Sequence, residues 1–347
     1  MNGSMTVENL STTNNSYLGK TPSSPADSGH RRDQIIAGVS YCIISFIFLF
    51  LYTAVLLVLK KKSVIFSSAA YRIIFHLGVA DCLQLLFHFV GGVFTIAAST
   101  FNFWLSKICG GLLNSAWITL IPLTLLLAVN RFFAIFCDQN NDVARIMDRH
   151  IEVLTGCCWL WGAAFFMCYM SRYCSILYDT NIFAWGYDKS EWSETIALIE
   201  FRSITILLAV TGIFYATIII KLLSLRWKQM GATGTSTSQG MRNEIRVLIQ
   251  AIAITGYTTL CLWVWHDYDI FFDDSKWVVF TVNSIWIING GINPCLYLTL
   301  NKTMRRELFS LVSFSTSTSA VTMITTSKKG ETLMRIKRAN TVKRFTV

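Results

Sequence analysis

Charge is what this 347-residue chain has least of: Asp, Glu, Lys and Arg together make up 14%, against 53% hydrophobic residues. So little polar surface cannot cover an ordinary soluble globule. Several chemistries are missing as well. The five histidines, His30, His76, His88, His150 and His266, fall at no metal-ligand spacing, no Ser/His/Asp set is evident, and no Walker-type phosphate loop occurs. Nothing in the chain therefore points to catalysis or to a structural metal. No internal repeat is visible, which weakens a transporter reading built on paired halves. Residues 1–34 are rich in Ser, Thr, Asn and Gly without an apolar core, so no cleavable signal is expected and the first apolar run has to direct insertion. Between Lys276 and Lys302 there is no lysine, which removes the Schiff-base site that retinal would need.

What the chain does have is apolar runs, near 35–59, 73–98, 109–134, 151–170, 199–220, 247–265 and 277–300. A hydrocarbon core of about 30 Å takes about 20 apolar residues per helix, so each run is long enough to span. The expected fold is an all-α membrane protein, a seven-transmembrane helix bundle over 35–300. It is preceded by an extracellular disordered tail over 1–34 and followed by a short amphipathic eighth helix over 301–312 and a disordered cytoplasmic tail over 313–347. In that eighth segment Met304, Leu308 and Phe309 fall on one helical face, as suits a helix lying on the inner leaflet, and no cysteine follows Cys295 to carry palmitate. The segment Gly231 to Gly240, made of Gly, Ala, Thr, Ser and Gln, reads as a flexible linker between the fifth and sixth helices.

Orientation follows from the basic residues. Lys60, Lys61 and Lys62 directly after the first run resist translocation, so the amino terminus is expected outside. The sequons at Asn2, Asn9 and Asn14 agree as glycosylation sites, since glycan is attached on the lumenal side. The net charge of +10 is spread over inner loops and tail and forms no stripe, so membrane lipid rather than nucleic acid is its expected partner.

Polar residues inside the spans carry the mechanistic signals. Asp81 lies deep in the second run, where a carboxylate costs roughly 3 kcal/mol to insert and has to face the bundle interior. Its natural partner is Asn293, and the pair forms either an intramembrane polar site, with a sodium ion near Asp81 as the one cofactor to consider, or a neutral packing contact. Asn293-Pro294-Cys295-Leu296-Tyr297 breaks the seventh run, because proline frees a backbone carbonyl that lipid cannot satisfy; a packed, mobile joint is expected. Arg131 follows Cys109 by a rise of about 33 Å, which puts it at the cytoplasmic mouth, as a lipid anchor or as a contact for a partner protein. Cys109 and Cys174 stand on the oxidising side and form the expected disulfide, with Cys168 as the competing partner. Glu200, Trp117, Tyr257, Trp265 and Trp286 are candidates for lining a ligand pocket between helices. The acidic residues Asp267, Asp269, Asp273 and Asp274 form either a solvated rim or an attraction for cationic ligands.

Three motifs together resemble the rhodopsin-like G-protein-coupled receptors: Leu77 to Asp81, the Asn130-Arg131-Phe132 triplet, and Asn293 to Tyr297. The likeness is closer to nematode serpentine chemoreceptors, through Leu127 to Phe132, Glu244 to Gln250 and Tyr297 to Arg305, and classes X and T of that group look equally similar. The resemblance implies a plasma-membrane or sensory-cilium receptor that takes a small-molecule ligand and activates a heterotrimeric G protein. It implies that Arg131 holds the inactive state and then contacts the G protein, and that Tyr297 swings inward on activation. Asn130 stands where the family carries an acid, so a hydrogen bond has to replace the ion pair on Arg131, which leaves raised basal activity open. In the sixth helix Trp263 and Trp265 are the toggle candidates, although the family's proline after the tryptophan is missing. The first helix lacks the family's Asn, so one member fewer is expected around Asp81. A seven-span ligand-gated cation channel, with an internal amino terminus, is the alternative.

Overall fold

The computed structural model describes residues 25–61, 66, 68–137, 142–230, 238–271, 275–300, 305–306 and 308–309. Seven long helices run in chain order: α1 (Pro25–Lys61), α2 (Ala69–Ala97), α3 (Phe103–Phe136), α4 (Asp142–Met170), α5 (Ser193–Met230), α6 (Ser238–Phe271) and α7 (Lys276–Leu300). A hairpin of β1 (Ile176–Asp179) and β2 (Ala184–Tyr187) joins α4 to α5. The end of the bundle that carries it is called here the hairpin end, and the opposite one the far end.

Among the described residues, α1 to α5 are each long and apolar enough to cross a membrane. The 25 residues of α7 fall short on hydropathy because Asn283, Asn289 and Asn293 interrupt them, yet all three are buried against other helices. Large apolar side chains such as Phe46, Phe50, Leu160, Ile213 and Ile220 are outward-facing and exposed. A soluble surface would not carry so many, whereas lipid accepts them.

α3 is the central helix, the one most enclosed by others, and it packs on α2, α4 and α5. α7 closes the ring between α6 and α1. Where α1 crosses α2, a Cβ at Gly38 would come 2.7 Å from Gly92 O, so the two backbones touch only because side chains are missing there. Asn102 caps α3 by accepting from Trp104 N at 2.7 Å.

Two boundaries move from their expected places. Residues 25–34, expected within a disordered tail, are the first turns of α1, where Asp33 pairs with Lys276 at 2.8 Å and Gln34 donates to Thr180 O at 3.2 Å. α6 also begins inside the expected 231–240 linker, at Ser238, while α5 runs up to its edge at Met230. Asn2, Asn9 and Asn14, the linker core 231–237 and the tail beyond 309 lie outside the described residues. So does most of the expected eighth helix: Arg305, Arg306, Leu308 and Phe309 are helical, within a second unit, Asn301–Val347, distinct from the bundle.

The hairpin was not anticipated. Asp179 turns the chain by accepting from Asn181 N at 2.8 Å, Phe183 takes a positive φ of 65°, and Ile176 pairs with Tyr187 at the open end. It lies inside the protein. Tyr178 and Trp185 are buried against Phe94, Tyr178 shares a hydrogen bond with Thr95, and Tyr41 donates to Phe183 O at 3.1 Å.

Candidate functional site: a walled cavity above a polar corridor

At the hairpin end, α3, α5, α6, α7 and β2 enclose a cavity of about 790 Å³ counted with its open mouth. Of the expected pocket residues, Trp117, Glu200 and Trp286 line it, as does Trp265, expected both here and as a toggle. Tyr257 does not: its hydroxyl is spent on Ile285 O at 3.2 Å, tying α6 to α7. Trp286 is the hub, meeting Trp117 and Trp265 edge to face with centroids 5.8 and 4.9 Å apart.

Three elements converge on Glu200 of α5. Asn114 of α3 donates to its Oε2 at 2.8 Å, Tyr169 of α4 donates to the same oxygen at 3.0 Å, and Tyr187 of β2 donates to it as well. Such donors are what allow a carboxylate to sit inside a bundle. Arg202, two residues on, points outward and is exposed. Asn114, Tyr169 and Tyr187 escaped the sequence reading; an Asn in the middle of an apolar run was the one available signal. Below Tyr187, the carboxylate of Asp188 accepts from Ser190, Ser193 and Ser175 N, fixing the start of α5. Burial pushes its pKa up, but those hydrogen bonds together outweigh burial and hold it below the ordinary value.

The expected Cys109–Cys174 disulfide is not formed: both are buried free thiols, as all ten cysteines are free. The hairpin docks on α3 one residue further along. A Cβ at Gly110 would come 2.4 Å from Ile176 O, so strand backbone lies directly against α3 there. Hydrogen bonds do the tying, from Tyr178 N to Ser106 Oγ at 3.0 Å and from Lys107 Nζ to Ser171 O at 2.6 Å. Cys174 has Cys168, the competitor for pairing, within electrostatic reach, and burial pushes its pKa up to about 12.

Trp286 also connects the cavity downward, donating from Nε1 to Gln84 Oε1 at 3.0 Å. Gln84 is one turn of α2 from Asp81, on the same face. Asp81 is fully buried, and its Oδ2 accepts from Asn293 Nδ2 at 2.7 Å and from Tyr52 OH at 2.7 Å. The partner expected from α7 is therefore present, while the member thought missing from α1 is supplied by Tyr52, a correction to the sequence reading. Among the described residues, Asp81 Oδ1 and Asn293 Oδ1 have no hydrogen-bond partner.

Tyr297, also buried, lies next in line, within electrostatic reach of Asp81 on one side and of Tyr215 and Arg131 on the other. Pro294, inside α7, stands between Asn293 and this tyrosine. At the far end Asn130 is buried, and Phe132 stacks on Phe136 at 4.4 Å and meets Phe214 of α5 at 5.4 Å. A cluster of Ala128, Tyr215, Ile218, Leu222 and Ala251 joins α3, α5 and α6 there. Of the two toggle candidates, Trp263 is 62% exposed and faces away from the bundle, which removes it; Trp265 remains. The side chains of Asp267 and Asp269, like Asp273 and Asp274, lie outside what the structure describes.

Seven helices around a buried polar corridor, with a cavity at one end and an Arg-aromatic step at the other, define a multi-pass membrane receptor of the rhodopsin-like fold. Squid rhodopsin shares that fold, with a TM-score of 0.64 at 14% identity over 82% of this chain and 87% of that one. Residues 6–321 match the model of the serpentine type 7TM GPCR chemoreceptor Srt, and the chain belongs to that family, a family of receptors rather than enzymes. Of the two nematode classes left open by the sequence, class T is thereby selected. No curated protein matches the chain.

Proposed function

We propose that this receptor sits in the plasma membrane with its amino terminus outside, binds an external small molecule in the cavity, and activates a heterotrimeric G protein at the far end. The observation that carries the reading is the line of polar groups between the two ends of the bundle: Trp286 hydrogen-bonded to Gln84, then, one turn along α2, Asp81 hydrogen-bonded to Asn293 and Tyr52, then Tyr297 within electrostatic reach of both Asp81 and the half-buried Arg131. A buried polar chain is expensive in a bilayer and persists where it has work to do.

In the mechanism proposed, ligand binding shifts Trp286 and Trp265, and the shift is felt at α2 and α7 through Gln84 and Asn293. The break at Pro294 lets the end of α7 that holds Tyr297 rotate. Rearrangement of the cluster joining α3, α5 and α6 then uncovers Asn130, Arg131 and Phe132 for the G protein. The ligand moves this equilibrium only by its difference in affinity for the two states. The two unpartnered oxygens, Asp81 Oδ1 and Asn293 Oδ1, fit a small cation such as sodium, or water, that would favour the closed arrangement.

The test is topology combined with signalling. An epitope at the amino terminus is expected to bind antibody on intact cells, and expression is expected to raise G-protein signalling in a reporter line. An epitope reached only after permeabilisation, together with receptor-dependent cation current, would overturn the proposal in favour of a channel.

A further inference from the structure

The walls of the cavity carry an uneven chemistry. Glu200 is the one carboxylate among the described lining residues, and no Lys or Arg is found among them. It is 8% exposed, and every hydrogen bond it accepts falls on Oε2, from Asn114, Tyr169 and Tyr187. Its Oε1 accepts none from the described residues. The same cavity is walled by the indoles of Trp117, Trp265 and Trp286, which meet at 69° and 70° and so present planes in different directions. An acceptor oxygen left over inside a low-dielectric bundle attracts positive charge far more strongly than in water. Indole faces attract the same charge through their quadrupole, and tryptophan does so best.

We propose that the ligand of this cavity is a small organic cation, an amine or alkylammonium with an apolar body, held between the Glu200 carboxylate and the indoles of Trp117, Trp265 and Trp286. The inference rests on the reading of the cavity as the ligand site and adds to it the charge of the ligand. The carboxylate supplies the counter-ion through Oε1, while Asn114, Tyr169 and Tyr187 keep it oriented through Oε2. The indoles receive the alkyl groups next to nitrogen, which carry much of the positive charge of an ammonium. His266, the basic side chain in the lining, is occupied with Phe201 at a centroid distance of 4.2 Å.

The test uses the purified full-length receptor in nanodiscs and pairs of probes that differ in charge. Thermal unfolding is followed with millimolar choline against its neutral carbon analogue 3,3-dimethyl-1-butanol, and with phenethylamine against 2-phenylethanol. At least one cation is expected to raise the unfolding midpoint at about tenfold lower concentration than its neutral partner. Glu200→Gln, nearly isosteric, is expected to abolish that advantage; Trp265→Leu is expected to weaken the choline response in a protein whose own melting curve reports that it is folded. Equal shifts from the neutral partners, a cation response unchanged in Glu200→Gln, or no shift from any cation overturns the proposal. Signalling through a G protein is read separately and survives any of those outcomes, so the two failures are distinguishable.

Discussion

Tyr52 reaches from α1 to α2 and donates its phenol proton to Asp81 Oδ2 at 2.7 Å, with both side chains fully buried. The contact makes α1 part of the corridor rather than a peripheral anchor, and Asn293 completes it from α7 on the same oxygen. Removing the hydroxyl leaves Asp81 with one donor in place of two. Tyr52→Phe is therefore expected to cost about 0.5–3 kcal/mol, the range that spans neutral and charge-assisted hydrogen bonds. Thermal unfolding in nanodiscs measures it, and a melting point equal to wild type would show that the bond contributes nothing.

The close approach of the hairpin to α3 gives a second expectation. Because a Cβ at Gly110 meets Ile176 O at 2.4 Å, backbone rather than a flexible side chain has to move. Gly110→Ala is expected to destabilise the fold by about 1–3 kcal/mol, as overpacking does. Surface expression should fall in parallel, while Gly156→Ala, with nothing within 4 Å of the new Cβ, should leave it unchanged. Equal expression of the two variants would contradict the docking described here.

The thiols supply a third. With all ten cysteines free, Cys109→Ser is expected to leave melting within about 1 kcal/mol of wild type, far from the 2–5 kcal/mol that loss of a native disulfide costs. Cys174, its pKa pushed up to about 12 by burial, should resist alkylation at pH 8 in the folded protein. A raised thiol pKa favours the neutral form in the folded state. Its contribution to stability is thus fully present below the ordinary value of 9.0 and is lost as pH rises from there through about 12. Mass spectrometry after iodoacetamide labelling reads the reactivity, and rapid labelling of Cys174 at pH 8 would sink this expectation.

Trp263 and Trp265 separate cleanly by face. Two residues on a helix differ by about 200°, so one indole lines the cavity while the other is 62% exposed on the outside. Trp263→Leu should change stability by no more than about 0.5 kcal/mol and leave signalling intact. Trp265→Leu should alter signalling in a reporter assay at matched surface level. The reverse pattern would place the wrong tryptophan in the mechanism.

Some of this was legible in the sequence because a polar group in an apolar run has few permitted destinations. Asp81 had to face inward, and Asn293 beside a proline had to be its neighbour. Tyr52 was not legible, since a tyrosine in a span is as much at home in packing as in a hydrogen bond. Glu200 was recognised as a pocket candidate, but its three donors come from α3, α4 and β2, elements whose convergence no local pattern records. The Cys109–Cys174 pairing is not borne out because position relative to the membrane restricts depth and not lateral approach. The tryptophan pair was ambiguous for a related reason: a span apolar on all sides offers no periodicity by which to tell lipid from interior. The hairpin, four residues per strand, is too short to stand out among loop residues.

The central claim is that the buried polar corridor ends on Arg131 as the group that engages a G protein. Guanine-nucleotide exchange on purified heterotrimeric G proteins, driven by the receptor in nanodiscs, tests it directly when wild type is compared with Arg131→Ala at matched folded concentration. The account predicts that wild type accelerates exchange and that Arg131→Ala reduces the acceleration by about tenfold or more, the loss expected for charge-assisted hydrogen bonds. Equal exchange rates for the two proteins would contradict it.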